Sequence, residues 1–120
     1  MKIMAANIIL YCKKWAETVD FYRNDLKLET LSTTDWFVEF KLNENARLSV
    51  ANEARASVKS CQGAGITISL QVADLEEMRS ELLERGLQLT PIREVWGSQT
   101  SYLFDPEGNR LELWSGRAMI

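Results

Sequence analysis

Internal repetition constrains this chain more than any other feature. Residues 8–12, Ile-Ile-Leu-Tyr-Cys, form a strand candidate, and residues 66–72, Ile-Thr-Ile-Ser-Leu-Gln-Val, alternate with the period of two that a strand requires. A helical pattern follows each after a short turn. The first runs from about Lys14 to Arg23, with Trp15, Val19, Tyr22 and Leu26 on one face. The second opens at Asp74, a suitable N-cap, and Glu77 three residues later completes a capping box. Leu75, Met78, Leu82 and Leu83 form its apolar stripe, and Gly86 is a natural stop. The helix ends align too, Phe21–Leu28 with Leu82–Leu89.

Hairpins complete each copy. Residues 36–42 alternate and lead through Asn43-Glu44-Asn45 into Arg47-Leu48-Ser49-Val50. Residues 100–104 lead through Asp105-Pro106-Glu107-Gly108-Asn109 into Arg110-Leu111-Glu112-Leu113-Trp114. Each half therefore reads strand, helix, then about three strands, with an offset of roughly 60 residues. Module 1 covers about residues 1–52, a connection rich in Ala, Ser, Lys and Gly covers about 53–64, and module 2 covers about 65–120. The expected fold is α+β, two tandem βαβββ modules forming a curved mixed sheet around a cleft, with helices on the outer face. The full 120 residues suit a single domain. The apolar Trp36–Leu42 strand reads as an edge that needs cover, which points to a homodimer.

The run Asp105-Pro106-Glu107-Gly108-Asn109-Arg110-Leu111-Glu112-Leu113-Trp114, placed at the end of the second copy, resembles the glyoxalase / bleomycin-resistance / extradiol-dioxygenase superfamily, also called vicinal oxygen chelate. Trp15–Tyr22, Leu26-Lys27-Leu28 and Val72-Ala73-Asp74-Leu75 support the resemblance, which spans essentially the whole chain. It implies homodimerisation and, in the enzymes, a divalent metal held by four side chains. Two of these come from the first strands of the halves, usually histidine, and two from the last strands, usually glutamate. The matching positions are Asn7, Thr67, Ser49 and Glu112, of which only Glu112 conforms.

The chain has no histidine. That removes Ser–His and Cys–His nucleophiles, and an amide, two hydroxyls and one carboxylate are poor ligands for a transition metal. The expectation is no metal and no cofactor. The Gly63-Ala64-Gly65 stretch reads as linker and not as a dinucleotide loop. Asp105, Pro106, Gly108 and Asn109 read as chain-reversing residues. The net charge of −3 and pI near 5.0 argue against nucleic acid. The N-terminus lacks a signal-peptide cleavage pattern, and no stretch approaches the roughly 20 apolar residues of a membrane span. Cys12 and Cys61 form no CxxC and read as buried small hydrophobes in a reducing cytoplasm.

Alternation lists the cleft-facing residues. The first strand offers Asn7, Ile9 and Tyr11, and its counterpart Thr67, Ser69 and Gln71. The last strands offer Arg47, Ser49 and Ala51, then Arg110, Glu112 and Trp114. The middle strands add Trp36, Phe40 and Tyr102, and Trp96 stands in a loop as a further stacking candidate. A strand face of Thr, Ser and Gln does not line a dry core; a polar and aromatic cleft suits a small molecule. Glu112 reads as an ion-pair partner of Arg110 or Arg47, or as a general acid or base. Two functions stay open. One is a metal-free protein that binds or sequesters a small aromatic or cationic molecule. The other is a lyase, isomerase or dioxygenase resembling glyoxalase, with Glu112 as base or residual metal ligand. A module used only for association is a third.

Overall fold

A computed structural model describes residues 1–116. It divides into two compact units, Met1–Gln62 and Gly63 onward, each holding its own four-stranded mixed sheet. The first unit runs β1 (Ala6–Cys12), α1 (Trp15–Asp20), β2 (Thr30–Thr33), β3 (Phe37–Asn43) and β4 (Ala46–Asn52). The second runs β5 (Thr67–Gln71), α2 (Leu75–Glu84), β6 (Arg93–Val95), β7 (Ser98–Phe104) and β8 (Arg110–Gly116). Strand order is β1-β4-β3-β2 and β5-β8-β7-β6. In both units the first strand pairs parallel with the last, and the other pairings are antiparallel. The two βαβββ modules and the α+β class are as expected. Contrary to expectation, β3 is an inner strand of its sheet.

Alternation separates each sheet into a core side and an open side. In the first unit Leu10, Cys12, Val38, Phe40, Leu48 and Val50 are buried together with Val19, Phe21 and Tyr22 of the helical segment. The Tyr22 ring lies 6.2 Å from that of Phe40. Trp15 joins this packing through its indole, which donates to the Val50 carbonyl at 2.9 Å. In the second unit Ile68, Leu75, Leu82, Leu103, Leu111 and Leu113 form the core. Leu83, expected on the buried stripe, is 41% exposed: it follows Leu82 by one residue, about 100° round the helix, and turns away from the sheet.

The helix ends show where the repeat departs from exactness. Asp74 caps α2 by accepting from Glu77 N at 3.1 Å. Gly86 ends it with φ of 87°, while Gly86 N and Leu87 N donate back to Leu83 O and Leu82 O, the paired bonds of a Schellman motif. Helix α1 instead widens into a π turn over Phe21–Asp25, with Leu26 N donating to Phe21 O. Its left-handed residue is Lys27, at φ of 56°. Lys27 thus corresponds to Gly86, two positions from where the sequence alignment set it, because the π turn takes in extra chain before the reversal.

The connection between modules is ordered by its own hydrogen bonds. Asn52 Oδ1 accepts from Ala54 N, the Glu53 carboxylate accepts from Ser60 N, and Lys59 Nζ donates to Glu53 O and Ala56 O. Cys61 is exposed there, against the expectation of a buried thiol; Cys12 is buried. The second unit begins at Gly63, whose φ is 80° and where a Cβ would stand 2.1 Å from the Gly108 carbonyl oxygen. Only glycine permits that backbone contact with the β7–β8 turn. The turn itself is organised by Asp105. Its Oδ1 accepts from Glu107 N and Asn109 N, and its Oδ2 accepts from Asn109 Nδ2, all at 2.9 Å. No helix among the described residues is long and apolar enough to cross a membrane.

Candidate functional site

The open side of the second sheet carries three rows of side chains, set by the register of β5, β8 and β7. Thr67, Arg110 and Phe104 form the first row, Ser69, Glu112 and Tyr102 the second, and Gln71, Trp114 and Thr100 the third. Leu111 and Leu113 alternate with them and point into the core. All the second-module face residues named from the sequence, Thr67, Ser69, Gln71, Tyr102, Arg110, Glu112 and Trp114, lie in these rows.

Glu112 is the centre of the second row. Ser69 Oγ donates to Oε1 at 2.6 Å and Tyr102 OH donates to Oε2 at 3.1 Å. Hydrogen bonds to an ionised acceptor are short and strong, and two of them fix the carboxylate plane. A carboxylate has about four acceptor positions, so this one keeps capacity for a further donor. Arg110 does not pair with it. Its Nε donates to Thr67 Oγ1 at 2.9 Å and its guanidinium lies 4.6 Å from the centroid of the Tyr102 ring. The Arg110–Glu112 ion pair expected from same-face spacing gives way to this arrangement, in which the guanidinium lies over the ring whose hydroxyl serves Glu112. Arg47 is equally engaged elsewhere, with Glu39 at 3.1 Å.

The first sheet presents Asn7, Ile9 and Tyr11 of β1 beside Arg47, Ser49 and Ala51 of β4. Ser49 is fully buried and its hydroxyl donates to Asn7 Oδ1 at 2.9 Å. Trp36 lies just before β3 with its ring 5.4 Å from that of Phe37. Trp96 projects from the two-residue β6–β7 turn, 85% exposed and at φ of 50°, followed by Gly97 at 78°.

Phe40 requires correction. It was expected on the open face and is wholly buried in the core. The cause is a bulge at Leu42: Asn43 pairs with Ala46 but Lys41 with Arg47, so the register shifts by one. Counted back from the turn without the bulge, Phe40 would oppose Ser49; with it, Phe40 opposes Leu48. The same shift brings Phe37 opposite Ala51 and Glu39 opposite Ser49, two face residues that alternation alone missed. Phe104 was also missed. The parity of Tyr102 was the available signal for it.

The donors at the four metal positions of the related enzymes do not fit a transition-metal ion. Asn7 Oδ1 is taken by Ser49, and the Thr67 hydroxyl is held by a cationic guanidinium. Glu112 supplies the single anionic ligand. Among the described residues no three His, Cys, Asp or Glu side chains come together as a metal-binding group.

Residues 5–113 match the family model described as Glyoxalase/Bleomycin resistance protein/Dioxygenase superfamily. No curated protein matches the chain in sequence. Among solved structures it resembles a lactoylglutathione lyase from Agrobacterium tumefaciens, with TM-score 0.76, 18% identity and 92% of each chain covered. TnmS3, an antibiotic binding protein from Streptomyces sp. CB03234, gives TM-score 0.78 at 14% identity, covering 98% of this chain and 97% of that one. A glyoxalase/bleomycin resistance protein/dioxygenase from Nocardioides gives 0.79 at 16%, covering 97% and 84%. At such identities the likeness is one of fold.

Proposed function

The chain belongs to the Glyoxalase/Bleomycin resistance protein/Dioxygenase superfamily, and from that premise we propose that it binds or sequesters a small aromatic or cationic molecule without the metal of the related enzymes. The observation that carries this reading is the Ser69–Glu112–Tyr102 cluster. It supplies a fixed carboxylate for a cationic group, and Tyr102 and Trp114 supply ring surfaces beside it. An antibiotic binding protein with the same fold supports the reading. The partners proposed are a small-molecule ligand and a second copy of the chain, in a reducing cytoplasm that suits two cysteines without a CxxC or a disulfide framework. In its own sheet β1 is outermost, and Ile8 and Ile9 upon it are 37% and 39% exposed, which favours a homodimer that sedimentation equilibrium would detect.

The test is quenching of tryptophan fluorescence by benzyltrimethylammonium and by a panel of neutral aromatics. Saturable quenching is expected, and Glu112→Gln should weaken the cation about tenfold, the usual loss for a hydrogen bond or contact to a charged group. No saturable quenching by any compound defeats the proposal. Stoichiometric Zn, Ni, Fe or Mn retained through dialysis would favour a lyase, isomerase or dioxygenase with Glu112 as base or ligand.

A further inference from the structure

We infer that Arg110 is the anchor of a carboxylate subsite, and that the molecule bound on this face carries a planar carboxylate on an aromatic or apolar body. The inference rests on the binding reading above and adds a ligand class to it. Three features of the first row support it.

Arg110 is held but not neutralised. Thr67 Oγ1 fixes Nε and Tyr102 supports the guanidinium plane, while no carboxylate among the described residues pairs with it. Among the described residues its two Nη groups have no protein acceptor, so a pair of parallel donors is already oriented. That fork matches the two oxygens of a carboxylate, and a side chain held in advance loses little freedom on binding.

Arg110 also borders an open depression of about 460 Å³. Glycines line it: Gly63 meets Gly108 backbone on backbone, and a Cβ at Gly65 would meet nothing within 4 Å. Apolar surface stands next to the cation. Phe104, opposite Arg110 in the register, is 60% exposed, and Ile66 is 44% exposed. A lone cation suits any anion. A cation that shares its depression with an exposed ring and an aliphatic side chain suits an anion with an apolar body.

Isothermal titration with benzoate, benzamide and inorganic phosphate tests this on the full chain. Benzoate should bind at least tenfold tighter than benzamide, its neutral isostere, and tighter than phosphate. Arg110→Gln should bring benzoate and benzamide within twofold. Arg110→Lys should retain part of the preference, and Thr67→Val should weaken benzoate about fivefold while leaving benzamide unchanged. The comparison of benzoate with benzamide needs no variant, so a folding defect cannot obscure it. Equal binding of the two, phosphate as tight as benzoate, or a preference that persists in Arg110→Gln overturns the inference. If benzyltrimethylammonium binds through Glu112 and benzoate does not bind, the carboxylate subsite falls and the binding reading stands. If neither binds, both fall.

Discussion

Truncating Phe40 to alanine distinguishes a core residue from a ligand contact. The ring is fully buried and packs 6.2 Å from Tyr22, itself fully buried. Removal of a buried Phe side chain costs about 3–5 kcal/mol, a sum of lost transfer energy and the cavity left behind. Burial here is complete and the neighbours are held by sheet and helix, so little collapse is available and the upper half of that range is expected. For a chain of this length each kcal/mol moves the melting temperature by roughly 3–5 °C, so the fall should reach about 12–25 °C. Urea unfolding followed by circular dichroism should show a lower midpoint at unchanged slope. Tyr22→Phe provides a control that keeps both rings. A loss below about 1 kcal/mol, accompanied by loss of ligand binding, would refute the bulge-set register and return Phe40 to the open face.

Gly63→Ala should destabilise by well over 1 kcal/mol, because it combines a left-handed φ of 80° with a 2.1 Å clash on the Gly108 carbonyl; Gly65→Ala, with the same strain and open space, should cost only about 1–2 kcal/mol. A smaller loss at Gly63 than at Gly65 in urea titrations would contradict the close approach. At the exposed β3–β4 turn, the hydrogen bond from Lys41 to Glu44 lowers the Glu44 carboxyl and raises the Lys41 ammonium. The lowered carboxyl stabilises above its unfolded value and loses that contribution as pH falls through the folded one; the raised ammonium loses its contribution as pH climbs through the folded value. The stability difference between wild type and Glu44→Gln should therefore be greatest at neutral pH, disappear in strong acid and shrink in 1 M salt. A difference that persists in strong acid would rule the pair out as its source.

The fold was legible wherever a periodicity ran unbroken. The alternations at Thr67–Gln71 and Arg110–Trp114 survive intact in the register, so the second-module face could be listed from residue order alone. The Asp74 cap and the Gly86 stop depend on local chemistry and were equally readable. What escaped was each single-residue irregularity. A bulge at Leu42 inverts the parity of β3, and no residue type there announces it. The π turn that ends at Asp25 buries Phe21 and Tyr22, a demand of tertiary packing that local periodicity does not carry, and Lys27 stands where Gly stands in the second copy. The partner of Arg110 could not be foreseen either. Spacing placed Glu112 within reach on the same strand, but the choice between a carboxylate and a ring was decided by Tyr102 on the neighbouring strand.

The parallel pairing of first strand with last in each module bears on how the chain folds as it is made. Ser49 and Asn7 are 42 positions apart, and Arg110 and Thr67 are 43 apart. A ribosome adding roughly 5–20 residues per second needs several seconds to cover such a distance. Until β8 has been made and has emerged, β5 lacks its one partner in the sheet among the described residues. Ile68 and Leu70 are then uncovered on a strand with both edges open, in the form most prone to wrong pairing. The polar residues that alternate with them, Thr67, Ser69 and Gln71, keep the waiting strand soluble on its other side. The side chains that build the face therefore also serve the nascent chain, before any site exists.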